Sequence, residues 1–132
     1  MKCALVIPAW VPEDIFSSKT ASSQINYWQP LGTLYVAAVL QKAGHDVRFF
    51  NGAFTNHEQI LRDLDDFAPG FIGIYSTTFG WKKAKKTAAD FREMFQQRAF
   101  ICAGGPYPIA MQEACLADGG NPLMQLYTEK ES

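Results

Sequence analysis

Three short apolar runs limit what this chain can fold into: "KCALVIP" at 2 to 8, "FIGIYST" at 71 to 77 and "AFICAGG" at 99 to 105. Each is apolar at successive positions instead of every second one, and each stops at a proline, a hydroxyl residue or a glycine pair. A strand with one wet face alternates, whereas a strand buried on both faces does not. The runs therefore read as central strands of a parallel sheet, and an antiparallel core is not expected.

Parallel strands need crossover helices, and the intervening segments supply them. In "QPLGTLYVAAVLQKAGH", Pro30 suits a first helical turn and Gly44 a C-terminal cap, which predicts a helix over 31 to 43. Leu31, Leu34, Tyr35, Ala38 and Val39 share one face, yet Val36, Ala37 and Leu40 are apolar too, so burial on more than one side is expected. "DVRFFN" at 46 to 51 follows as a strand near the sheet edge. Thr55 and Glu58 stand at capping-box spacing before Ile60, Leu61, Leu64 and Phe67, and the second helix ends ahead of Pro69 and Gly70. Trp81, Ala84, Ala88, Phe91 and Phe95 recur at helical spacing over 80 to 96, leaving Lys82, Lys83, Lys85 and Lys86 outside. Pro108 opens a fourth helix to about Ala117, and "LMQLY" at 123 to 127 reads as a short fifth strand or a frayed tail.

This alternation predicts an α/β fold of three layers, a parallel sheet between helices, in one domain over 1 to 118 with a divergent or truncated tail over 119 to 132. A chain of 132 residues with 48% apolar residues can hold such a core. A net charge of −1 gives no long-range field for nucleic acid, and "KKAKK" at 82 to 86 reads as a solvated helix face. No apolar run approaches the roughly 18 residues of a membrane span, and no signal-peptide pattern opens the chain, so a cytoplasmic location is expected. Cys3, Cys102 and Cys115 are odd in number and widely spaced, which argues against a disulfide framework or a metal site built on them.

Ligands of open parallel sheets bind at the strands' carboxyl ends. Three loops fall there: 9 to 29, "STTFG" at 76 to 80 and "GGPYP" at 104 to 108. Ser76, Thr77 and Thr78 offer hydroxyls at the start of the third helix, where they serve equally as ligand contacts or as helix caps. Gly104 and Gly105 let a large ligand approach the backbone or simply form a turn; on the first reading, a bulky residue there weakens binding without unfolding the domain. Trp10 and Trp28 read as plugs over the sheet, and neither His45 nor His57 reads as a ligand. No nucleophile motif, redox cysteine pair or glycine-rich dinucleotide fingerprint is present. The chain is expected to carry a ligand more than to transform one.

Taken in order, "QPLGTLYVAAVLQKAGHDVRFFN", "FIGIYSTTF" and "ICAGGPYPIAMQEAC" resemble the N-terminal cobalamin-binding domain of B12-dependent radical SAM proteins. That group includes methyltransferases and the anaerobic magnesium-protoporphyrin ester cyclases. The resemblance covers roughly residues 1 to 117 and implies a flavodoxin-like (Rossmann-like) fold with strand order 2-1-3-4(-5). It implies that Ser76, Thr77, Thr78, Gly104, Gly105, Pro106 and Tyr107 border a cobalamin cleft, with Leu31 and Gly32 shaping the wall beside the first strand. Tyr107 replaces a histidine common in relatives, and the acidic segment usual after the fifth strand is not visible in "NPLMQLYTEKES". The cluster-binding Cys-x3-Cys-x2-Cys is absent, so no iron-sulfur cluster is expected in this chain, which is not catalytic alone and pairs with a radical SAM domain or protein. The first loop has no Asp-x-His-x-x-Gly motif, which implies cobalamin without a protein histidine on cobalt. Two other readings stand beside this one: a degenerate domain serving protein interaction, and a flavodoxin-like binder of FMN or another phosphate ligand. If the fifth strand is poorly formed, the edge of the fourth invites a homodimer.

Overall fold

The computed structural model describes residues 1–9, 31–77, 80–111, 114 and 125–126. Five strands form one sheet in the order β2-β1-β3-β4-β5, all pairs parallel. They are β1 (Lys2–Ile7), β2 (Asp46–Asn51), β3 (Phe71–Tyr75), β4 (Phe100–Gly104) and β5 (Gln125–Leu126). The crossovers are α1 (Leu31–Lys42), α2 (His57–Phe67) and α3 (Trp81–Phe95), and α4 (Pro106–Met111) follows β4. The parallel order and the edge position of β2 agree with the sequence pattern, and "LMQLY" contributes a strand that meets β4 at Cys102 and Ala103.

The core lies on one face of the sheet. Ala4, Val6, Ile72, Ile74, Ile101 and Ala103 alternate along β1, β3 and β4 toward Ile60, Leu64 and Phe67 of α2 and Trp81, Ala84, Ala88, Phe91 and Phe95 of α3. All of these are buried, as the helical spacing requires. Phe91 is fully buried, and removing so large a side chain from this layer would cost about 3–5 kcal/mol.

Two helix boundaries differ from the sequence expectation. The N-cap of α2 is Asn56, not Thr55: the Asn56 side chain accepts from the Gln59 N–H at 2.8 Å. Asn reaches the third helical amide as well as Thr does, and the Gln59 side chain turns forward to Asp63 instead of back to close a capping box. α4 starts at Pro106, two residues earlier than Pro108, because Pro106 also needs no N–H partner in a first turn.

The larger correction concerns α1. It ends as expected, with Gly44 at φ +97° closing the last turn and the His45 N–H reaching back to the Leu40 carbonyl at 3.1 Å. Its burial is not as expected: Thr33 is its one buried residue, and Leu31, Leu34, Tyr35, Val36 and Val39 are all exposed. Right-handed crossovers explain this. The chain moves outward from β1 to β2, placing α1 on one face, then reverses through β3 to β4, placing α2 and α3 on the other. α1 therefore lies on β2 and β1, outside the buried cluster that α2 and α3 form with the other face of the sheet.

Candidate functional site

The carboxyl ends of β3 and β4 meet in a tight ridge. The Ser76 N–H donates to the Gly104 carbonyl at 2.9 Å, so the two loops leave the sheet together. Ser76 is buried, and its hydroxyl donates to the Thr77 carbonyl at 2.9 Å. The Thr77 hydroxyl accepts from the Gly80 N–H at 3.0 Å, just before α3 begins. The Thr77 hydroxyl thus holds the approach to α3, whose N-cap Gly80 has no side-chain cap bond, and the Ser76 hydroxyl is tied to its own loop. Thr78 lies outside the described residues.

Gly105 has φ +105°, and a Cβ placed there would stand 2.8 Å from the Ser76 carbonyl and 2.9 Å from the Tyr75 ring. The missing side chain therefore makes room for the chain's own β3 loop. A substitution at Gly105 is strained in its own right, so a bulky residue there carries a stability cost beside any effect on binding. Gly104 ends β4, Pro106 is exposed at the first position of α4, and Tyr107 follows it in that helix. The structure thus brings Ser76 and Thr77 together with Gly104, Gly105 and Pro106. Leu31 and Gly32, by contrast, open α1 with their surfaces exposed, and a Cβ on Gly32 would meet nothing within 4 Å.

Below the ridge, the α1 face of the sheet presents Phe71, Gly73 and Tyr75 of β3 and Phe100, Cys102 and Gly104 of β4, all half-buried. Phe71 and Phe100 stack with ring centroids 6.0 Å apart. Burial raises the Tyr75 pKa and pushes the Cys102 thiol up to about 12, so both stay neutral at ordinary pH. This wall is broad, apolar and uncharged, a surface that suits a large ligand bearing few charges. Among the described residues, no three His, Cys, Asp or Glu side chains gather as metal ligands, and no helix is long and apolar enough to cross a membrane.

A second concave feature escaped the sequence reading. Ala9 after β1, Thr55, Asn56 and His57 at the start of α2, and Lys83, Lys86 and Thr87 of α3 line a hollow of about 370 Å³. His57 Nε2 lies 2.7 Å from Asp90 Oδ2, with the imidazole ring stacked on Phe91 at 6.4 Å. Lys86 Nζ lies 3.6 Å from the same carboxylate. The available signal was the spacing of Lys83, Lys86 and Thr87, which sets them on one side of a helix whose other lysines point elsewhere.

A five-stranded parallel sheet in the order 2-1-3-4-5, with glycine-edged loops at its carboxyl end, defines a flavodoxin-like α/β ligand-binding domain. Residues 21–125 match the B12 binding domain family, and the chain belongs to that family. Among solved structures, it is similar to a novel cobalamin-binding protein from Desulfitobacterium hafniense DCB-2, with a TM-score of 0.61 and 13% identity. The match covers 90% of this chain and 49% of the other, so the chain spans about half the length of that protein. At this identity the likeness concerns the fold. A search of curated protein sequences returns no match.

Proposed function

We propose that this chain is a cobalamin-binding module whose cofactor lies against the α1 face of the sheet and the carboxyl-end ridge. The observation that carries the reading is the pairing of family membership with the uncharged, half-buried wall of Phe71, Tyr75, Phe100 and Cys102 beneath that ridge. Gly104, Gly105, Pro106 and Tyr107 would border the cofactor on the β4 side, and Ser76, Thr77 and Thr78 on the β3 side. Leu31 and Gly32 would line it from α1, where exposed apolar surface is already in place. The cobalt chemistry belongs to the bound cofactor; this chain's residues hold it, orient it and keep water from one of its faces.

Residues 9 to 29 contain no histidine, so the reading includes cobalamin held without a protein histidine on cobalt. It also includes work beside a radical SAM domain or protein in the cytoplasm, which the resemblance of its motifs to that group supports. The test is visible absorption of the desalted chain after incubation with hydroxocobalamin, and in parallel with FMN. Retained cobalamin, with a spectrum free of histidine coordination, is the expected result. Retention of FMN alone would favour a phosphate-ligand binder, and retention of neither would leave a domain that serves interaction.

A further inference from the structure

We infer that the exposed side of α1 is an interface between two copies of this chain, which meet there as an antiparallel helix pair about a two-fold axis. Thr33 is buried and Ala37 and Leu40 are half-buried, which fixes the side of the helix that faces the sheet. On the opposite side, the helical repeat sets Leu31, Tyr35, Ala38 and Lys42 in one row, with Leu34 and Gln41 along one border and Gly32 and Val39 along the other. All of these are exposed, Leu31 at 68% and Tyr35 at 73%. Steps of four, three and four residues along the row are those of a seam between two helices.

Charge and shape select a second copy as the occupant. Lys42, at the last position, is the one charged residue of the helix, so a partner chosen by ion pairs finds little to grip. A two-fold interface needs a patch that complements itself, and antiparallel pairing provides this. Tyr35 of each copy falls opposite Ala38 of the other, so the largest side chain of the row meets the smallest. Val39 falls beside Gly32, where a Cβ would have nothing within 4 Å. The Lys42 stem lies along Leu31 with its ammonium group in water. Parallel pairing instead sets Tyr35 against Tyr35 and Lys42 against Lys42, which crowds one end of the seam and charges the other. Leu31, Leu34, Tyr35, Val36 and Val39, at 41–73% exposure, present on the order of 500 Å² of apolar surface per copy. Two copies together cover about 1,000 Å², the lower bound of a specific interface, and a dimer in micromolar equilibrium with monomer is expected. The other route to a dimer, the outer edge of β4, is already taken in part by β5 at Cys102 and Ala103. Leu31 also belongs to the proposed cofactor wall, so the pair is a property of the cofactor-free chain.

The test is sedimentation velocity of the full, cofactor-free chain over a micromolar concentration series. A reversible monomer–dimer equilibrium is expected, and Tyr35→Ala and Ala38→Glu should each weaken it by about tenfold or more. Two variants at Leu31 read the orientation. Leu31→Glu, set beside Lys42 of the second copy, should keep the dimer and make it sensitive to salt, whereas Leu31→Lys should break it. Phe54→Ala removes a side chain as exposed as Tyr35 but outside α1, and should leave the equilibrium unchanged. Circular dichroism establishes that each variant is folded. A chain that stays monomeric throughout would overturn the assignment and leave this side of α1 to a different protein. A dimer that Phe54→Ala weakens as much as Tyr35→Ala, or that Leu31→Glu and Leu31→Lys weaken equally, would overturn it too, as association without this register. Every readout is taken without cobalamin, so failure of the pair and failure of the proposed function are told apart.

Discussion

Replacing Gly105 with alanine separates two meanings of a glycine at a strand end. The residue sits at φ +105°, outside the region where L side chains rest comfortably, and holding alanine there costs about 1–3 kcal/mol. The added Cβ would also stand 2.8 Å from the Ser76 carbonyl and 2.9 Å from the Tyr75 ring, at the end of the β3–β4 pairing. Forcing that overlap costs a further amount of about 1–3 kcal/mol. The sum, about 2–6 kcal/mol, is a large share of the 5–15 kcal/mol that typically holds a domain together. Gly32 is the matched control: it lies in the first turn of α1 with nothing within 4 Å of a Cβ, and Gly32→Ala should be neutral or stabilising by up to about 1 kcal/mol. Urea unfolding followed by far-ultraviolet circular dichroism measures both, with an unchanged slope indicating that the unfolded states are comparable. A loss below about 1 kcal/mol for Gly105→Ala, or an equal loss at Gly32, would refute the reasoning. It would mean that the β3 loop yields easily and that the glycine is kept for some other purpose.

Two more outcomes follow from particular groups. Asn56→Ala removes the side-chain acceptor of the Gln59 N–H and should cost about 1 kcal/mol by urea unfolding, whereas Thr55→Ala should cost far less. The Cys102 thiol, pushed up to about 12 by burial from an ordinary value of 9.0, stays protonated in the fold where the unfolded chain ionises. Its contribution is therefore complete below pH 9 and is lost as pH rises toward 12, by about 1.4 kcal/mol per unit. Unfolding of the wild type and of Cys102→Ala at pH 8 and pH 10.5 checks this, since the variant should show the smaller drop.

Much of the architecture could be read from the sequence because its signals were local and mutually consistent. The runs at β1, β3 and β4 lacked alternation, and α3 repeated its apolar residues at three and four, so strand and helix could not be exchanged. What α1 would touch could not be read in the same way. Its composition records what the helix tolerates, but burial depends on which neighbours the crossover direction places beside it. The cap of α2 went to Asn56 and not Thr55 because both are good caps and only backbone geometry chooses between them. At the site, the residues of 76–77 and 104–106 were found because they fall at strand ends, but a pattern of glycines and hydroxyls does not distinguish self-packing from ligand contact. The Gly105 clash with Ser76 needs coordinates. The hollow stayed hidden because Thr55 and His57, at the start of α2, lie far in sequence from Lys83 of α3.

The uneven covering of the sheet also bears on how the domain breathes. α2 and α3 share fifteen buried core residues with the strands, while α1 contributes one buried threonine. Amides of α1 should therefore exchange with solvent deuterium through a small local opening, while those of α3 wait for unfolding of the whole domain. Such an opening exposes the α1 face of β1 and leaves the other layer intact. A ligand that enters there, and covers Leu31, Leu34 and Val36 once inside, would slow exchange along α1 far more than along α3. The softest helix would then act both as the way in and as the recorder of occupancy.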